Sequence, residues 1–455
     1  MNQSLYLDLL SQQITIKVFK ISVKVLALIF ASNVSAQQRI FTIEAAIEYA
    51  LQHNYNHQNS QLEKSITYEK TQEVLTQGFP KINGTIGYQN QFIVPTSVIP
   101  GDAFGAPGQL IPVQFGLSNT INANIGLQQL IFDGRYLVGV QARTSIKELA
   151  NLQVKMSERD VKVLISKSYF QAVMARKSLQ SIKESKAVID KLFDQTNKTY
   201  KQGLIEELDV ERLQYNVKTI ENAILLLETQ NQLALSALKL NMGYPMEDSL
   251  RLTDDISQHL SEVFQQTGYV DNIENRLESK LAEQAIQLKK YDLIQMRYSA
   301  LPSLYGAANY GYNSFSDRFN FFNNKWYNFG NFGIQANIPI FDGFTRKSQI
   351  TQAKLAVEKA EIDKLNLFNA LKVENMNTLL TIRNNINEYK NQKDILKLSE
   401  KIEHKTQVKY KEGIGSSFEF ANAQNERIQQ YLKLLQSELN LLNSHIELKK
   451  IQGKL

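Results

Sequence analysis

The sequence predicts a mainly α protein with a smaller β component, built from two internal repeats. Three observations predict it: landmarks recurring at a near-constant offset, two pairs of strand-like segments almost free of charge, and helical patterns of unusual length after each pair. Of 455 residues, 43% are apolar and 21% charged, so the chain is neither disordered nor an all-helical membrane protein. Its 51 Lys and Arg against 45 Asp and Glu leave +6, spread without the dense basic blocks of a nucleic-acid binder. No cysteine is present, which excludes a disulfide scaffold, a thiol nucleophile, a Cys-based zinc site and a lipid anchor on an N-terminal Cys.

Residues 1–36 read as a signal peptide. Lys17, Lys20 and Lys24 precede the apolar run Val25–Ala31, and the small residues of Val34-Ser35-Ala36 end it. The competing reading, a membrane anchor, would need a run of roughly 20 residues. No later segment qualifies as a membrane-spanning helix, so an exported chain of this kind would have to cross a membrane by strands.

The duplication follows from four landmarks in the same order. Pro80 matches Pro302, Phe132-Asp133-Gly134 matches Phe341-Asp342-Gly343, Tyr200–Gly203 matches Tyr410–Gly413, and Gly243 matches Gly453. The offsets are 222, 209, 210 and 210, which places 13 extra residues between Pro80 and Asp133. The first repeat is expected over 37–245, a linker over 246–270 and the second repeat over 271–455.

Each repeat starts with a helical stretch, about 43–76 and 273–298, that ends at its Pro. Strands are predicted next, at about 82–92 and 120–132, then 303–312 and 329–341. Period-two alternation supports them: Ile121, Ala123, Ile125 and Leu127 share one face, Asn122, Asn124 and Gln128 the other. The polar positions are Asn, Gln, Thr and Gly. From Ile82 to Phe132 the one charged residue is Asp102, and from Leu301 to Ile340 only Asp317, Arg318 and Lys325 occur, all in loops. A soluble sheet would carry Lys and Glu on its wet face, whereas this pattern suits a barrel with lipid outside and water inside. Aromatic residues near the loop ends (Tyr88, Phe92, Tyr310, Tyr312, Trp326, Tyr327 and Phe329) are expected to form an interfacial girdle. A soluble hairpin is the alternative.

After Gly134 and Gly343 the apolar residues recur at threes and fours, as in Val161, Ile165, Tyr169, Ala172 and Ile182, the seam of a coiled coil. Each helix would run about 100 Å before a left-handed stop at Gly203 or Gly413, then return for about 60 Å. Four strands cannot close a barrel, and free sheet edges are not viable in hydrocarbon. Three chains give twelve strands and room for a lumen, where two give eight and little room.

These motifs together resemble the TolC-like outer-membrane efflux proteins. Those carrying the resemblance are Ala46-Ile47 with Ala50-Leu51-Gln52-His53-Asn54, the Pro entries to the strands, the two Phe-Asp-Gly strand-to-helix turns and the Tyr-x-x-Gly tips, over about residues 40–454. The resemblance implies a homotrimer with a 12-stranded outer-membrane barrel, four strands per chain, continuous with a long α-helical coiled-coil periplasmic barrel. It implies a passive exit duct that meets outer-membrane lipid and docks with a periplasmic adaptor and an energised inner-membrane pump. Departures are the missing counterpart of Pro339 in the first strand pair and Phe344, where the family often has a second Gly.

The resemblance further implies a periplasmic aperture six and nine residues after the second tip Gly, at Glu419 and Asn422, so that one acidic ring is kept and the other replaced. The same count in the first repeat gives Asp209 and Arg212, assigned with Gly203 and Gly413 to the helical tips and adaptor docking. A ring of carboxylates would favour cations. The alternative is that Glu419 and Asp209 are solvated helix-start residues. His53 and His57, four apart, could clamp a metal, but no third ligand accompanies them and exposed helix histidines are the default. Phosphate loops and hydrolase motifs are absent, so no catalytic, cofactor or metal site, enzyme activity or nucleic-acid partner is expected. The rival to a conduit is a periplasmic or secreted structural coiled-coil protein without channel activity.

Overall fold

The structure is a computed structural model that describes residues 40–105, 107–253, 256–265, 272–319 and 323–455. The signal-peptide segment lies outside the described residues. The elements are β1 (Ile40–Phe41), α1 (Ile43–His53), α2 (Tyr55–Thr76), β2 (Lys81–Asn90), β3 (Thr96–Pro100), β4 (Leu110–Gln114), β5 (Asn119–Phe132), α3 (Gly134–Lys201) and α4 (Glu207–Met242). There follow β6 (Arg251–Leu252), α5 (Ser257–Gln265), α6 (Leu277–Tyr298), β7 (Ser303–Ser316), β8 (Trp326–Asn337), α7 (Thr345–Lys411) and α8 (Ser417–Ile451).

The chain falls into two compact units. One gathers the described residues up to Tyr55, those of Arg159–Tyr269, and Thr378–Leu455; the other gathers Asn56–Glu158 and Val270–Asn377. The first is helical apart from a short parallel pairing of β1 with β6. Its seam is the predicted one: Val161, Ile165, Tyr169 and Ala172 of α3 are buried with Leu435, Leu439, Leu442 and Ile446 of α8. The Tyr169 hydroxyl donates to the Phe41 carbonyl at 2.9 Å, tying α3 to β1.

The second unit holds a four-stranded antiparallel sheet in the order β2-β5-β7-β8, with β2 and β8 at its edges. Strand ends differ slightly from expectation. β2 stops at Asn90, leaving Phe92 beyond the ladder, and β8 runs from Trp326 to Asn337, leaving Ile338 and Ile340 outside it. Pro339, two residues past Asn337, has no N–H to extend the ladder. A second hairpin, β3 with β4, was not expected; it occupies the longer loop of the first strand pair.

Both helical stretches expected to run unbroken are interrupted, at Asn54 and Arg276. These positions share the offset of 222 that relates Pro80 to Pro302. Each adopts extended backbone, with φ −65° and ψ 122° at Asn54 and φ −63° and ψ 148° at Arg276. Tertiary hydrogen bonds hold the breaks. Asn54 Nδ2 donates to the Asn241 carbonyl at 2.6 Å, while the buried Arg276 guanidinium reaches Glu374 at 2.6 Å and Asn375 at 3.1 Å.

Candidate functional site

The register of the sheet places every alternating apolar set on one face. Across the four strands run the rows Ile82–Leu127–Ala308–Phe332, Gly84–Ile125–Tyr310–Gly330 and Ile86–Ala123–Tyr312–Asn328. The opposite face carries Asn83–Gly126–Asn309–Asn331, Thr85–Asn124–Gly311–Phe329 and Gly87–Asn122–Asn313–Tyr327. Within the four strands Lys81 is the one charged residue. The apolar face is open, with Ile86 84% and Phe332 90% exposed. A continuous apolar surface of this kind needs an apolar medium or a partner against it.

On the polar face amides lie flat over glycines. A Cβ at Gly126 would sit 2.7 Å from Asn309 Oδ1, and one at Gly87 would sit 2.9 Å from Asn122 Oδ1. Asn309 Nδ2 in turn donates to Asn331 Oδ1 at 3.1 Å. The register also corrects the expected aromatic girdle. Tyr88, Tyr310, Tyr312 and Trp326 share the apolar face, but Tyr327 and Phe329 occupy positions of the other parity and lie among the amides.

The two Phe-Asp-Gly turns join strand to helix as expected. Asp133 caps α3: its Oδ1 accepts from the backbone N–H of Arg135 at 2.7 Å and of Tyr136 at 3.2 Å, and Oδ2 accepts from Arg135 Nη2 at 3.1 Å. Burial raises this carboxyl, but the bonds from Arg135 and Tyr136 outweigh it and leave the group below its usual range. Phe132 pairs with Leu304 just past a bulge after Leu130. Gly134 has no room for a side chain, since a Cβ would stand 2.9 Å from the Tyr298 carbonyl. In the second turn Asp342 Oδ2 accepts from the Arg346 N–H at 3.2 Å, and Phe341 meets Phe344 edge to face at 5.6 Å. Gly343 has φ 61°, and Phe344 has φ 64°, a left-handed conformation that a side chain disfavours.

The helical tips turn on Gly203 and Gly413, with φ 76° and 73°. Past the second tip, Ser416 caps α8 by accepting the Glu419 backbone N–H at 3.1 Å. Glu419 and Asn422 are both exposed, one turn apart. Asp209, in the first turn of α4, is half-buried and donates its N–H to the Glu206 carbonyl. Arg212 does more than its place in the count suggested: its guanidinium stacks over the Phe418 ring at 4.8 Å. Phe420 stacks on Tyr410 at 6.0 Å and is buried with Ile189, Leu213 and Ile220. The two tips of one chain are therefore packed together. The aromatics at 418 and 420 were the sequence signal for this contact.

The histidines are not a pair on one helix, because Asn54 interrupts between them. His53 stacks on Tyr49 at 4.0 Å, whereas His57 is buried and bonded to Ser157 and Gln61, not exposed as expected. Among the described residues no group of three or more His, Cys, Asp or Glu is placed to hold a metal. No helix among them is long and apolar enough to cross a membrane.

An antiparallel sheet with Lys81 as its one charged residue and one open apolar face, carried with helices of more than sixty residues, has the fold of solved outer-membrane channels. Residues 269–454 match the sequence model of the outer membrane efflux protein family. Outer membrane protein TolC of Vibrio cholerae is 24% identical over 254 residues, 54% of this chain and 57% of that protein. Among solved structures, the Campylobacter jejuni CmeC outer membrane channel superposes with a TM-score of 0.71 at 16% identity, covering 90% of this chain and 85% of that one. The Vibrio cholerae outer membrane protein VceC gives 0.69 at 14% identity, covering 90% and 96%.

Proposed function

We propose that the chain is one subunit of a homotrimeric outer-membrane channel, the passive exit duct of a tripartite efflux or type I secretion system. Three four-stranded sheets close a 12-stranded barrel, β8 of one copy pairing with β2 of the next. The helices of the three copies continue it as a periplasmic tube. The two repeats, 37–245 and 271–455 about a 246–270 linker, each supply two strands of the four-stranded sheet and one helix of more than sixty residues with its returning partner. The tips at Gly203 and Gly413, with Asp209 and Arg212, meet a periplasmic adaptor, and an energised inner-membrane pump drives the cargo. Glu419 and Asn422 line the periplasmic aperture.

The observation that carries this reading is the sheet itself: one face mostly apolar, the other mostly of amides, and two edges whose backbone groups need partners in hydrocarbon. Membrane fractionation followed by native mass measurement tests it. The protein should resist salt washing, require detergent and emerge at the mass of three chains. Release by salt, or a detergent-extracted monomer, refutes it and favours the structural coiled coil.

A further inference from the structure

Four aromatic side chains of β7 and β8 fall on the amide face of the sheet: Tyr305 at the far end, and Phe315, Tyr327 and Phe329 together near the loop end. The Phe315 and Tyr327 ring centroids are 6.3 Å apart with planes tilted by 46°. Tyr327 and Phe329 are successive same-face residues of one strand, about 7 Å apart along it. Phe315 and Tyr327 are open, 41% and 51% exposed, and Phe329 is half-buried. Asn313 lies beside Tyr327 and Gly311 beside Phe329, with Asn122 and Asn124 one strand further on. The result is a line of ring faces bordered by carboxamides. Lys81 stands at the far end of the face, and the Lys325 ammonium lies 5.4 Å over the Tyr327 ring at the loop end.

The chemistry of this track selects a solute class. A cationic solute finds no opposite charge along the strands, an anionic one finds only Lys81 at the far end and Lys325 at the loop end, and a wholly apolar one would leave the amides without partners. A neutral solute with apolar ring faces and many hydroxyls suits both components. Its C–H faces stack on the aromatic rings, and its hydroxyls exchange hydrogen bonds with Asn side chains, which donate and accept. We propose that Phe315, Tyr327 and Phe329 form a contact track for neutral oligosaccharide passing through the lumen, an inference that rests on the channel reading above. An unfolded polypeptide also carries amides and rings, but its cationic side chains have no counterparts on this face, whose two charges are those of Lys81 and Lys325.

Planar-bilayer recording of the full-length protein tests the track. Ion conductance is measured first; a protein that does not conduct refutes the channel reading, and the track with it. A short linear maltodextrin is then added on the loop side, with polyethylene glycol of equal size as the control. The maltodextrin should give resolved current blockades that the control does not. Tyr327→Ala and Phe329→Ala should each shorten their dwell time roughly threefold to tenfold, the range for loss of one ring contact. Phe332→Ala, on the opposite face, should leave it unchanged, and unaltered conductance shows that each variant has folded. A conducting channel in which maltodextrin blocks no longer than the control overturns the inference while sparing the channel. So does one whose dwell ignores both aromatic substitutions, or one blocked by unfolded polypeptide and not by maltodextrin.

Discussion

Arginine at Ile125 tests the two faces of the sheet most directly. Ile125 sits mid-strand in β5, paired with Gly84 on one side and Tyr310 on the other, and its side chain is 61% exposed on the apolar face. If that face meets hydrocarbon, Ile125→Arg puts a guanidinium near the bilayer midplane at a cost of about 2–4 kcal/mol per chain. At about 1.4 kcal/mol per factor of ten, that lowers the insertion equilibrium roughly 30- to 700-fold. Flanking Gly84 gives the new side chain no polar partner to offset this. Asn124→Arg, one residue earlier on the amide face, should cost little, as should Gln335→Arg; Ile334→Arg should behave like Ile125→Arg. Urea titration of folding into lipid vesicles, followed by heat-modifiable gel mobility, reads the difference. Equal responses from the two faces would show that the sheet does not separate lipid from water.

At the tip, Glu419→Gln should lower cation preference in bilayer recordings and Glu419→Lys should tend to reverse it, with Asp209→Asn as the control. The Ser416 cap uses the Glu419 backbone N–H, so the helix start survives both changes; a selectivity that follows Asp209 and ignores Glu419 would move the constriction to the first repeat. Phe344→Gly should stabilise the chain by about 0.5–1 kcal/mol, because relief of the left-handed strain exceeds the lost contact with Phe341. Phe344→Ala loses that contact and keeps the strain, so its unfolding midpoint should not rise. Buried His445 has no hydrogen-bond partner on either ring nitrogen, and burial, with Lys449 adding to it, lowers its pKa to about 4; Lys454 and His259 act the same way and Glu262 opposes them. The unfolded imidazole takes up a proton more readily, so stability is full above about pH 6.5 and declines as pH falls towards 4. Thermal unfolding against pH should show this slope in the wild type and lose it in His445→Phe.

The strands and long helices were legible because their periodicities are intrinsic to the backbone. Alternation placed Ile121, Ala123, Ile125 and Leu127 together, and ladder pairing reproduces that face. The breaks at Asn54 and Arg276 were not legible, since neither residue is a helix breaker by itself. Hydrogen bonds to Asn241 in one case, and to Glu374 and Asn375 in the other, impose the extended backbone from far along the chain. His57 was misread for the same reason: its burial depends on Ser157, one hundred residues away. The track residues Tyr327 and Phe329 were grouped by composition with the girdle, when their odd positions already assigned them to the amide face. At the tips the glycines were plain from sequence, while the Arg212–Phe418 stack required two repeats to be brought together.

The scarcity of charge in the four strands also bears on how such a chain reaches its membrane. An exported polypeptide crosses water before it meets lipid, and during that crossing these segments have almost nothing to repel one another. Their unpaired edges and flat apolar rows are templates for association with the wrong chain. Asp102, Asp317, Arg318 and Lys325, all in the loops between strands, are the ionised residues closest at hand to interrupt such contacts, acting as gatekeepers. Removing them would leave the native sheet register untouched and yet lower the yield of inserted protein, the more so as expression is raised. Evolution of the loops is thus constrained by the journey as well as by the destination.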